Sequence, residues 1–144
     1  MRATYKLALL GASAVFAAGC AITQKVQPVT VADITQLCVK RNPAVMMDGF
    51  IGELESQLRA KGMQVRVFDG ARPSECRHHL EYTANWRWDL AMYLVYAELR
   101  VYESDLLVGQ ANYDARGGGG RMDKFGATAE KLRPLIDQLF PRRA

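Results

Sequence analysis

Three cysteines and two adjacent histidines are the side chains in this sequence best equipped for chemistry. Cys20 follows Val15-Phe16-Ala17-Ala18-Gly19, where small residues at Ala18 and Gly19 let a peptidase approach the backbone and leave a thiol that can carry a diacylglyceryl group. Cys38 and Cys76 are then an even pair, expected to form a disulfide that requires the loop from Gly70 to His79 to fold back over the first strand, with two buried free thiols as the alternative. A bridge closing about 37 intervening residues stabilises a fold by roughly 3 to 4 kcal/mol in the chain-entropy account. Cys76-Arg77-His78-His79 contains two residue types that bind metals, but a site needs three or four converging ligands and these are the chain's only histidines. No metal and no other cofactor is therefore expected. A cysteine nucleophile with a neighbouring histidine is disfavoured, because adjacent residues in an extended segment point to opposite sides. Gly117 to Gly120 lacks the Lys-Ser/Thr of a phosphate loop and reads as a mobile loop. Tyr82, Trp86 and Trp88 could stack on sugars, yet their alternation is what a sheet core requires.

The surroundings of Cys20 say where such a thiol would be used. Arg2 and Lys6 precede an apolar run from Leu7 to Ala18. That run is too short for a permanent membrane span, which takes about 20 residues, and reads as a secretory signal over residues 1–19. The junction resembles a bacterial lipobox, with Ala17 standing where leucine is usual. Lipidation of Cys20 turns an odd cysteine count even, and export supplies the oxidising compartment in which Cys38 and Cys76 could pair. Of 19 Lys and Arg residues, removal of Arg2 and Lys6 leaves 17 against 15 acidic ones, a balance and a scatter that argue against a nucleic-acid partner.

The elements that must position these groups fit one domain. Residues 20–32 lack sustained periodicity and read as a lipidated tether that, fully extended, reaches roughly 35 to 40 Å. Residues 33–144 form the globular part. Asp33 to Lys40 reads as a first strand, and Asn42-Pro43 as a helix start, followed by Met46, Phe50, Leu54 and Leu58 at helical spacing up to Gly62. Met63 to Asp69 alternates as a second strand, so a right-handed crossover between parallel strands is expected. Leu80 to Asp89 alternates most regularly. The apolar parity then changes to Val95, Ala97, Leu99 and Val101, which requires a reversal or bulge between Trp88 and Met92. Glu103-Ser104-Asp105 marks the next turn, and Gly109 and Ala111 in the third meander strand would let a helix approach closely. A final helix runs from Phe125 to Phe140, with Pro134 expected to kink or split it. The sum is an α+β two-layer sandwich: a mostly antiparallel sheet of about five strands with two helices on one face.

Tyr82-Thr83-Ala84-Asn85-Trp86-Arg87-Trp88-Asp89-Leu90-Ala91, Gly109-Gln110-Ala111-Asn112-Tyr113, Lys124-Phe125 and Leu139-Phe140-Pro141 together resemble a family of small proteobacterial envelope lipoproteins of unknown function. The resemblance spans nearly the whole chain and extends to Cys38, Asn42-Pro43 and Cys76. It implies outer-membrane attachment and a small α+β domain, and brings no catalytic residue. The expected function is that of a periplasm-facing, outer-membrane-anchored lipoprotein whose domain assists envelope assembly without being an enzyme. Its partner, an envelope protein or peptidoglycan, would meet the outer sheet face at Glu81, Thr83, Asn85, Arg87, Glu98, Arg100, Gln110 and Asn112. The competing reading is a periplasmic hydrolase using His78 or His79 with an acid, or a glycan-binding module.

Overall fold

A computed structural model describes residues 21–142. Its strands are β1 (Thr23–Gln27), β2 (Gln36–Lys40), β3 (Gln64–Phe68), β4 (His78–Asp89), β5 (Ala91–Glu103) and β6 (Leu106–Asp114), and its helices are α1 (Phe50–Ala60) and α2 (Thr128–Leu139). A short 3-10 turn spans Met122–Lys124. The α+β architecture matches expectation, with a sheet of six strands rather than five, in the order β1-β6-β5-β4-β2-β3. It is mixed: β1, β6, β5 and β4 pair antiparallel, whereas β2 lies parallel to both β3 and β4.

The extra strand comes from the segment read as a tether. Residues 23–27 pair with β6, Thr23 opposite Asp114 and Gln27 opposite Gln110. Four of the five residues of β1 are exposed, so no apolar alternation announces it; main-chain pairing to a neighbour holds it in place. The helix predicted to start at Asn42-Pro43 begins instead at Phe50, after Gly49 at φ 79°. Asn42 is used otherwise. Its side-chain Oδ1 accepts from the Ala44 amide at 3.0 Å, its Nδ2 donates to the Tyr82 carbonyl at 2.9 Å, and its backbone N–H donates to the Tyr82 hydroxyl at 3.2 Å. These bonds hold a local turn against β4. Gly62, at φ 91°, follows the end of α1 as expected. Pro134 lies inside α2 without dividing it.

Both helices cover one face of the sheet. Leu54 and Leu58 of α1 and Leu132, Leu135, Ile136 and Leu139 of α2 are fully buried against Leu37, Val39, Leu80, Leu99, Val101 and Ala111. Each large aliphatic side chain removed from water in this way contributes about 1.5 to 3 kcal/mol. Gly109 does permit a close approach, but the neighbour is the segment after β1 rather than a helix. A Cβ there would meet Val29 Cγ2 at 2.7 Å. Val29 is fixed in turn by its amide donating to the Leu139 carbonyl at 2.9 Å.

Trp86 and Trp88 have different fates. The helices' first turns reach Trp86, which packs edge-on against Phe50 at 5.3 Å and donates from Nε1 to Thr128 Oγ1 at 3.4 Å. Trp88 shares its parity but lies past the helix ends and is exposed, which corrects its expected place in the core.

Candidate functional site

Strand pairing collects all eight polar residues expected at a partner surface onto the sheet face away from the helices. Glu81 stands opposite Arg100 and Thr83 opposite Glu98, while Glu98 and Arg100 are in turn opposite Asn112 and Gln110. Asn85 faces Tyr96, and Arg87 continues toward the hairpin tip. Cross-strand neighbours on one face lie about 5 Å apart, so this is a contiguous polar strip. Lys40 adds to it through an ion pair with Glu81 at 3.3 Å, and the Tyr96 hydroxyl donates to Glu98 at 3.4 Å. A cleft of about 310 Å³ opens at its edge among Lys40, Asn42, Glu81, Thr83 and Arg100.

On the same face, residues 69–77 fold back over β2 and β3. Cys38 and Cys76 form a disulfide with Cα atoms 5.7 Å apart, and together with Phe68 they make a second, smaller buried cluster. Arg66 Nη1 of β3 donates to Glu75 and Arg72 Nη2 pairs with Asp105 at 3.3 Å, holding the segment down, while Arg72 Nη1 donates within it to the Cys76 carbonyl at 3.2 Å. The bridge occupies the one thiol next to the histidines. His78 Nε2 lies 3.4 Å from Glu103 Oε1, while His79 stacks on Tyr102 with ring centroids 5.0 Å apart. Among the described residues, no three His, Cys, Asp or Glu side chains are grouped to hold a metal ion.

His79 is buried, and its Nδ1 has no hydrogen-bond partner. Burial pushes its pKa below 6.5, reinforced by the charges of Arg72 and Lys40 and opposed by Glu81 and Asp105. Between the folded and unfolded values the native state binds fewer protons than the unfolded chain, so stability rises with pH in that window. The stability contributed by neutral His79 is complete above 6.5 and declines as pH falls from there toward the lowered native value. Denaturant midpoints should therefore drop as pH is lowered through 6.5, with a shallower drop in His79→Phe. An unchanged slope in that variant would remove His79 as the cause.

Two buried lysines escaped sequence reading. Lys124 donates to Asp89 of the β4–β5 hairpin and to the Gly119 carbonyl at 2.7 Å, and its Nζ sits 5.2 Å from the Tyr93 ring centre and 5.1 Å from that of Phe125. Lys131 donates to the Tyr113 hydroxyl at 2.9 Å and to the Asp123 carbonyl at 3.0 Å, and burial lowers its pKa. They pin the glycine-rich segment at the hairpin end of the sheet. That segment also packs on the start of the described chain, since a Cβ on Gly117 would lie 3.1 Å from the Ala21 carbonyl oxygen. Cys20 itself lies outside the described residues.

No family model and no curated protein sequence matches this chain. Solved structures do. A PelC dodecamer from Paraburkholderia phytofirmans superposes with a TM-score of 0.55 at 15% identity, covering 85% of this chain and 100% of that one. A single-substitution PelC variant from the same organism, also a dodecamer, gives 0.54 at 14% identity with the same coverage. At this identity the likeness concerns the fold.

Proposed function

We propose that this chain is a lipoprotein attached through Cys20 to the outer membrane, facing the periplasm, and that it works as a non-enzymatic interaction or envelope-assembly domain. The observation that carries the reading is the polar strip from Glu81 to Asn112, a sheet face that neither helix covers. It offers charges of both signs and amides on rigid strands, which suits recognition of a protein or glycan surface. Further support comes from the fold neighbours, both dodecamers, from which self-association of this chain is carried over by analogy of fold alone.

Lipid labelling and envelope fractionation test the anchor. Cys20→Ala should lose the label and leave the outer membrane, while acylation of that variant, or residence of the wild-type chain in the inner membrane, would overturn the assignment. The strip is tested separately with Glu98→Ala and Arg100→Ala, which should remove cross-links to an envelope component while changing stability by less than about 0.5 kcal/mol. Cleavage of peptidoglycan by the wild-type protein, lost in His78→Ala, would replace the interaction domain with a hydrolase.

A further inference from the structure

We propose that the tip of the β4–β5 hairpin dips into the lipid bilayer beside the anchor, making a second membrane contact through Trp88, Leu90, Met92 and Met122. This rests on the lipid-anchor reading and specifies how the domain then sits.

The tip is apolar where water would be its only neighbour. Trp88 is 72% exposed, Leu90 84%, Met92 54% and Met122, on the adjoining 3-10 turn, 72%. Of the other large exposed apolar side chains among the described residues, Met46 lies beside Trp86 and only Leu106 and Leu107 lie at the far end of the sheet. Leu90 also holds a left-handed backbone at φ 61°, a turn conformation that glycine or asparagine adopts at less cost. A strained, solvent-facing leucine gains nothing for the fold, but at a membrane surface it gains burial.

Chain length brings the bilayer to this tip. Thr23 is on the rung of Asp114, which faces Tyr96, which faces Asn85. From that rung the hairpin extends five more residues to Leu90, about 16 Å at strand rise. From the same rung, Ala21 and Ile22 are the only residues between β1 and Cys20, so the acylated cysteine lies at most about 10 Å from Thr23. The long tether expected from sequence is largely consumed by β1. With lipid at Cys20, this end of the sheet is held at the headgroups, and the hairpin is long enough to reach past them.

Charge fits that position. The one carboxylate on the hairpin tip, Asp89, is neutralised by Lys124. The two further carboxylates at this end are likewise paired, Asp114 with Arg116 and Asp123 with Arg121, and Arg87 adds a positive charge beside the tip, where lipid phosphates would lie. Tryptophan favours the interface, where its ring is buried and its N–H stays wet.

The test uses the full-length protein, purified from membranes and reconstituted in phosphatidylethanolamine/phosphatidylglycerol vesicles with plain or brominated acyl chains. Trp88 is one of two tryptophans, so bromine should remove about half of the emission of the vesicle-bound protein. In Trp88→Phe, which leaves the core untouched, the remaining emission from Trp86 should be the same in both vesicles. Equal emission of the wild-type protein in the two vesicles, quenching that persists in Trp88→Phe, or failure to float with vesicles would overturn the proposal. So would a Trp88 emission that shifts to the blue with protein concentration in detergent, which would bury the tip between copies of the chain. The mass of the Cys20 peptide reads the anchor independently. Acylation without quenching removes the hairpin contact and keeps the anchor; quenching at Trp88 without acylation does the reverse.

Discussion

Replacing either Cys38 or Cys76 with serine should lower stability by about 3 to 4 kcal/mol and melting by on the order of 10 °C. The bridge spans 38 residues of sequence and ties β2 to a segment with no helix or strand of its own. Without it, that segment keeps a few surface contacts, among them the Arg66–Glu75 pair, which is exposed on both sides and of little energetic worth. Cys76 and Phe68 would then lose the lid over their buried cluster. The two single variants should be equally affected, and the reduced wild-type protein should match the double variant. Two titratable thiols in unreduced protein trapped on extraction would abolish the prediction.

Trp86→Ala should cost about 3 kcal/mol, whereas Trp88→Ala should change stability by less than about 0.5 kcal/mol. Trp86 fills the gap where the first turns of α1 and α2 meet the sheet, touching Phe50 and donating to Thr128. Truncation leaves a hole and an unpaired Thr128 hydroxyl at the helix start. Trp88, two residues on, has no helix above it. Chemical denaturation of the two variants side by side makes the comparison, and equal losses would return Trp88 to the core. The same contrast separates the membrane proposal from a packing defect, because Trp88→Phe can be read in vesicles without concern for folding.

Much of the architecture is legible in the chain because strand and helix periods are local. The alternation from Leu80 to Asp89 and again from Val95 to Val101 marks β4 and β5, but the break in parity is misplaced: the turn at Leu90 keeps Trp88 opposite Met92 and Trp86 opposite Leu94, and the faces change instead at a bulge, where Val95 is the extra residue between the pairs Trp86–Leu94 and Asn85–Tyr96. Spacing of Leu54 with Leu58, and of Leu132 with Ile136 and Leu139, marks the buried faces of α1 and α2. The alternating polar residues of the meander likewise define the outer strip. Asn42-Pro43 misled because an asparagine serves a helix cap and an Asx turn equally well, and the choice depends on the Tyr82 groups that only the fold brings near.

By itself, then, the sequence determined the signals that depend on neighbours along the chain: the two helices, the meander and the faces of its strands. Tertiary structure alone decided the rest. β1 exists because β6 offers it a free edge, a property of the sheet rather than of residues 23–27. Lys124 reaches Asp89 across 35 residues of chain, whereas the Cys38–Cys76 bridge, with residues 69–77 folded back across β2, follows the expectation from the cysteine count. Trp88 obeys the same alternation as Trp86, and its period predicts burial equally well. Its exposure follows from where the helices stop, a length that no two-residue repeat encodes.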